Sequence, residues 1–157
     1  MPNSAERRDG PYLSAALICE KVLVEGDGVK SAIRIIDKLI YAATGPEPPT
    51  EMPPFEFRGR MLIILKAGSV RGQHPLMIKY LTPSGEAPKP FQGTVEFAGE
   101  SDSGVDMMID LALSFAEAGL YWFEVWLSEN LLGRIPLRVV YQRIVSGPSP
   151  APPEKPL

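Results

Sequence analysis

Residues 105–142 constrain this chain more than any other stretch. Val105, Met107, Ile109, Leu111, Leu113 and Phe115 are apolar at every second position, and Asp106, Asp110 and Ser114 stand between them. Period-two alternation sustained this far places one side of an extended backbone in a core and the other in water, which predicts a half-buried β-strand. Ala118 and Gly119 break the run. Tyr121, Phe123, Val125 and Leu127 then face one way, and Leu120, Trp122, Glu124 and Trp126 the other. Ser128, Glu129 and Asn130 read as a turn, and Ile135, Leu137, Val139 and Tyr141 form a third alternating run. Short links join antiparallel strands, so the three runs predict an antiparallel meander.

The chain before this unit carries the same signal in weaker form. Leu13, Ala15, Leu17 and Cys19 alternate, and Val22 and Val24 continue on the opposite parity. One extra residue flips every later side chain, so a bulge near Glu20–Lys21 is predicted. Asp27-Gly28 is a hairpin-type turn. In Lys30 to Thr44, Ala32, Ile36, Leu39 and Ala43 fit a helix, whereas the β-branched Ile33, Ile35, Ile36 and Ile40 favour a strand. The preceding turn selects a returning strand. Pro46, Pro48, Pro49, Pro53 and Pro54 exclude residues 45–54 from a ladder, because proline lacks the N–H, and they predict an extended crossover between sheets. Strands follow at Phe55 to Ala67, Leu76 to Tyr80 and Phe91 to Phe97, with loops at Gly68–His74 and Gly99–Gly104 and a turn at Pro83-Ser84-Gly85. A set of about eight strands must hide its apolar rows between two layers. The predicted fold is all-β, an antiparallel two-sheet β-sandwich of immunoglobulin-like kind, with a closed barrel as second choice.

Composition adds boundaries. The 157 residues suit one domain with tails. The 17 prolines cluster, giving an expected disordered lead at 1–10, a domain at 11–145 and a proline-rich disordered tail at 146–157. A net charge of −3 argues against a nucleic-acid binder. A single cysteine, Cys19, cannot form an internal disulfide. No apolar run approaches the ~18 residues of a membrane span, and Leu13 to Ile18 is a poor signal-peptide core, so a cytoplasmic protein without a membrane partner is expected.

Each candidate site has a plain structural alternative. Gly119-Leu120-Tyr121 resembles the tyrosine corner of immunoglobulin-like sandwiches, in which the hydroxyl ties to a loop backbone. Leu120, Trp122 and Trp126 would form an apolar stripe interrupted by Glu124, a partner surface if solvent-facing and a covered face if the amino-terminal segment or the proline crossover lies on it. Glu100, Asp102 and Asp106 do not complete a calcium loop. His74, the single histidine, reads as a surface loop residue, and Cys19 as a buried apolar one whose pKa Glu20 would raise. Pro150-Ala151-Pro152-Pro153 has the minimal polyproline spacing. No glycine-rich phosphate loop is present.

Ala16-Leu17-Ile18-Cys19-Glu20, the following valine pair, the acidic turn and the isoleucine-rich strand ending in Asp37 are similar to the opening of a family of uncharacterised bacterial proteins, DUF6941. So are Pro83-Ser84-Gly85, Gly119-Leu120-Tyr121-Trp122-Phe123-Glu124-Val125 and Ile135-Pro136-Leu137-Arg138-Val139. The resemblance covers residues 12–141. It implies a small bacterial β-sandwich with no assigned activity, and it carries over no functional residue. The expectation is therefore a non-catalytic binding or assembly module without cofactor or metal, acting through Leu120, Trp122 and Trp126 on a protein partner or a second copy. The alternatives are a small-ligand or carbohydrate binder using Gly68–His74 and Gly99–Gly104, and a hydrolase whose Asp102, Asp106 and His74 converge in space.

Overall fold

The structure is a computed structural model that describes residues 10–148. Most of the lead expected at 1–10 and of the tail expected at 146–157, including the polyproline motif, lies outside the described residues. All regular elements are strands: β1 Tyr12–Val24, β2 Lys30–Ile35, β3 Lys38–Gly45, β4 Phe55–Lys66, β5 Gly72–Leu81, β6 Phe91–Phe97, β7 Gly104–Phe115, β8 Gly119–Leu127 and β9 Asn130–Val145. They form a four-stranded sheet in the order β2-β1-β4-β7 and a five-stranded sheet in the order β3-β9-β8-β5-β6; the second curls into a half-barrel. Alternation decides what lies between them. Met61, Ile63 and Leu65 from β4 and Phe115 from β7 pack with Leu76, Phe123, Val125 and Leu137 from the other sheet in one apolar core. Each such side chain contributes about 1.5–3 kcal/mol on burial.

Four expectations are corrected. The three-strand meander does not form: β7 pairs with β4, and only β8 and β9 make a hairpin. The link Ala116–Ala118 passes from one sheet to the other, and the tyrosine corner marks the passage. The Tyr121 hydroxyl donates to the Glu117 carbonyl at 2.7 Å, while the Glu117 carboxylate accepts from the Ser84 N–H at 3.0 Å and the Ser84 hydroxyl at 2.8 Å. The sheets are not wholly antiparallel, since β3 runs parallel to β9 from Lys38↔Arg138 to Gly45↔Val145. Residues 30–44 are not one strand but two, one in each sheet, exchanging at Ile36–Asp37; this raises the strands from about eight to nine. Crossover 45–54 does join the sheets, β3 to β4.

The fourth correction concerns β1. The ladder with β4 shifts register between Leu13 and Ala15, not at Glu20–Lys21. What happens at Glu20 is a bend. β1 pairs with β4 from Tyr12 to Cys19 and with β2 from Cys19 to Val24. Ala15 stands opposite Ile64, which stands opposite Asp106; Val24 stands opposite Lys30. In a straight strand Ala15 and Val24 would be about 30 Å apart. Yet Lys30 Nζ lies 2.8 Å from Asp106 Oδ2. The hairpin of residues 20–35 is therefore folded back over the outer side of the four-stranded sheet. Cys19, Val22 and Leu62 form a second buried cluster there, with Leu17, Ala32 and Ile64 against it. At the bend Arg34 takes a left-handed conformation (φ 55°) and its Nε meets Glu20 Oε2 at 2.6 Å. A Cβ at Gly59 would stand 2.8 Å from the Cys19 carbonyl oxygen, so this approach of β1 to β4 requires glycine.

Candidate functional site

The outer side of the five-stranded sheet collects the predicted stripe. Strand register sets Trp126 opposite Met77, Glu124 between Lys79 and Arg134, Trp122 between Leu81 and Pro136, and Leu120 opposite Arg138. Residues directly opposite in a ladder share a face, so Leu120, Trp122 and Trp126 do lie together. All three are half-buried. Neither predicted cover lies on them. The crossover is tied to the far part of β9, where Tyr141 Oη donates to the Pro49 carbonyl at 2.6 Å and Arg143 Nη2 to the Pro48 carbonyl at 2.9 Å. The amino-terminal strand runs in the other sheet.

Long side chains roof the indoles instead. The Arg134 guanidinium carbon is 4.3 Å from the centre of the Trp122 ring, and Lys79 Nζ is 4.5 Å from that of Trp126. Glu124 sits between them: its Oε2 accepts from Trp126 Nε1 at 3.0 Å and its Oε1 lies 3.2 Å from Arg134 Nε. A cation over an indole face is attracted by the ring quadrupole, and the aliphatic stems cover apolar surface while the heads stay wet. Lys79 and Arg134 were missed in the sequence because they come from other strands. The signal was present: each sits at the outward parity of its own run, beside the inward Ile78 and Ile135.

A second region lies at one end of the molecule. The two loops named as a possible ligand site meet there: Ala67 N donates to Ser103 O at 2.8 Å and Gly68 N to Ser101 O at 2.9 Å. Gly104 allows this contact, because a Cβ there would overlap the Leu65 carbonyl. Between the loops is an open cleft of about 650 Å³ lined by Tyr12, Lys66, Ser69, Arg71, Ser101 and Asp102. Arg71 is committed to its own loop, donating from Nη1 to Gly68 O at 2.6 Å and Val70 O at 2.7 Å.

The hydrolase triad is not assembled. Asp102 lines the cleft, whereas Asp106 is paired with Lys30. His74 is a half-buried strand residue of β5, not a loop residue as expected. Its Nε2 donates to Arg71 O at 2.9 Å, which leaves Nδ1 to accept from the Ser128 hydroxyl at 3.3 Å, and its ring lies 5.9 Å from Phe97. Those bonds give it a role in joining the β5 entry to the β8–β9 turn. Among the described residues no three His, Cys, Asp or Glu side chains converge to hold a metal ion. Glu100 and Ser103 close a turn on themselves. Cys19 is buried, and burial, not Glu20, pushes its thiol pKa up against the opposing charge of Arg60. No helix of the described residues is long and apolar enough to cross a membrane.

A family model described as a family of unknown function, DUF6941, matches residues 14–140. No curated protein matches the chain. Among solved structures, an immunoglobulin-like protein from Pseudomonas aeruginosa is similar at a TM-score of 0.41 and 16% identity, over 83% of this chain and 96% of that one. A β-glucosidase from Listeria innocua in complex with glucose is similar at a TM-score of 0.39 and 8% identity, over 85% of this chain and 17% of that one.

Proposed function

This chain belongs to the DUF6941 family, whose function is unknown, and we propose that it works as a non-catalytic protein-binding module with an immunoglobulin-like sandwich fold. Its contact surface is the outer side of the five-stranded sheet, centred on Leu120, Trp122 and Trp126. One observation carries the reading: both indoles are roofed by the movable heads and stems of Arg134 and Lys79. Partly exposed ion pairs and cation–π contacts hold such a roof by only about 1 kcal/mol each. A partner with an apolar group to bury can displace it, and tryptophan and arginine are the residue types that dominate contact energies.

Charge selects the partner. On the outer side of this sheet Lys38, Lys79, Arg134 and Arg138 stand against two carboxylates, Glu124 among them and Glu96 on the edge strand β6 opposite Gln73. Two copies meeting through this side would set cations against cations, so the occupant is a different protein carrying acidic residues around an apolar anchor. Trp122 and Trp126 are the two tryptophans of the chain, so their fluorescence reads this surface alone. Titration with a peptide alternating Glu and Leu should shift the emission saturably, and a Lys–Leu peptide should not. Equal responses to both peptides, or an undiminished response in Arg134→Glu, would overturn the proposal.

The contact between loops 67–71 and 99–104 supports a second reading, a small polar ligand or saccharide in the cleft beside Tyr12, Lys66 and Asp102. Amide NMR during titration with mono- and disaccharides separates the two. Shifts confined to residues 66–71 and 101–103 support the cleft, and an unchanged spectrum removes it.

A further inference from the structure

The folded-back hairpin does more than cover Leu62. It ends the four-stranded sheet on β2, which has a ladder partner on one side only. Natural sheets blunt such edges with lysines that reach into solvent. Here both cations of β2 are drawn back onto their own chain: Lys30 pairs with Asp106 at 2.8 Å and Arg34 with Glu20 at 2.6 Å. The side chains left outward are apolar. Leu23, Val24, Val29, Ile33 and Ile35 are all exposed, Ile33 at 37% and Ile35 at 63%, a denser group of exposed large apolar residues than any other described stretch provides.

The hydrogen-bond phase defines how this edge can be used. Glu25 N donates to Val29 O, and bonded pairs recur at every second residue of an antiparallel ladder. Ser31 and Ile33 therefore turn their peptide groups toward β1, and Lys30 and Ala32 turn theirs to the open edge. We propose that a second copy of this chain pairs with β2 edge to edge, antiparallel, with Ser31 of each copy on the twofold axis. That register bonds Lys30 of each copy to Ala32 of the other and sets Val29 opposite Ile33; it stops short of Arg34, whose backbone is left-handed, and of Ile36, whose N–H already donates to Ile18 O at 2.8 Å. It opposes no two charges of one sign, and Lys21, one strand in, stays more than about 14 Å from its copy. A self-complementary edge of this kind gives a closed twofold dimer, not a filament. The tryptophan side is left free on both copies, so this inference and the proposed function stand or fall separately.

Sedimentation of the full chain over a concentration series should show a monomer–dimer equilibrium. Ile33→Lys should weaken it roughly tenfold or more with unchanged melting, since the site is exposed and a lysine there costs the monomer little. Trp122→Ser should leave the dimer intact. Because Cys19 is the only cysteine, the Cys19→Ala, Ser31→Cys chain tests the register directly. Its new thiols would face each other at a non-hydrogen-bonded pair, where Cα atoms about 4.5 Å apart suit a disulfide, and mild oxidation should give a covalent dimer. A native chain that stays monomeric, a dimer indifferent to Ile33→Lys, one abolished by Trp122→Ser, or a cysteine chain that does not cross-link would each overturn the proposal.

Discussion

The two outer sides of this molecule face the same difficulty and meet it differently. Each sheet carries apolar side chains on the side away from the core. On the four-stranded sheet a piece of the chain's own backbone, residues 20–35, folds over Leu17, Leu62 and Ile64 and makes a dry second cluster. On the five-stranded sheet Trp122 and Trp126 are covered by Arg134 and Lys79 side chains, with Glu124 between them. A backbone cover is bonded along a ladder and opens only by local unfolding. A cover of long charged side chains opens by rotamer changes. The first kind makes a surface part of the fold, and the second keeps it available.

The contrast can be broken by mutation. Leu62→Ala, under the hairpin, should lower unfolding free energy by about 2–4 kcal/mol in a denaturant titration, through a cavity that the surroundings only partly fill. Trp122→Ala removes a larger side chain but a half-buried one, and should cost about 1 kcal/mol; equal losses at the two sites would abolish the distinction. Cys19 reports the hairpin cover itself, being fully buried in its cluster and the only thiol. Asp106→Asn frees Lys30, and since that ion pair is partly exposed its loss should speed Cys19 alkylation only about two- to fivefold. A rate unchanged by Asp106→Asn would mean that the ion pair does not hold the hairpin down. The smallest effect is expected at the corner joining the two sheets. Bonds from the Ser84 side chain and backbone hold the Glu117 pKa below its ordinary value. A lowered folded-state pKa gives stability that is present above the unfolded value and lost as pH falls through the folded one. The gap in melting temperature between the native chain and Glu117→Gln should therefore close on acidification below about pH 4.5.

The strands themselves were legible because alternation is local: Val105 to Phe115 and Tyr121 to Leu127 announce extended backbone without help from the rest of the chain. Sheet membership is not local. The short link at 116–118 reads as a hairpin loop, and only the glycine two residues before Tyr121 hinted that it turns a corner between layers. The exchange between sheets at Ile36–Asp37 left no such trace: Ile35 and Ile36 are adjacent and both apolar, yet Ile36 packs against the core while Ile35 stands exposed. The parity change from Cys19 to Val22 was visible, but its cause was not. Both residues enter the same cluster because the strand turns over between them, and that shows only when Lys30 is found beside Asp106. At the candidate site the tryptophans were readable and their cover was not, because Lys79 and Arg134 arrive from β5 and β9.

The parallel pairing of β3 with β9 also sets an order of events during synthesis. Lys38 to Gly45 leave the ribosome long before Arg138 to Val145, the residues they must bond. Until that last strand emerges, β3 has no neighbour in its sheet, and Ile40 and Leu39 face solvent or a chaperone. Closure of such distant pairs is slow, so the nascent chain carries one unpaired strand through most of its own production, and truncation before β9 would leave that strand permanently orphaned.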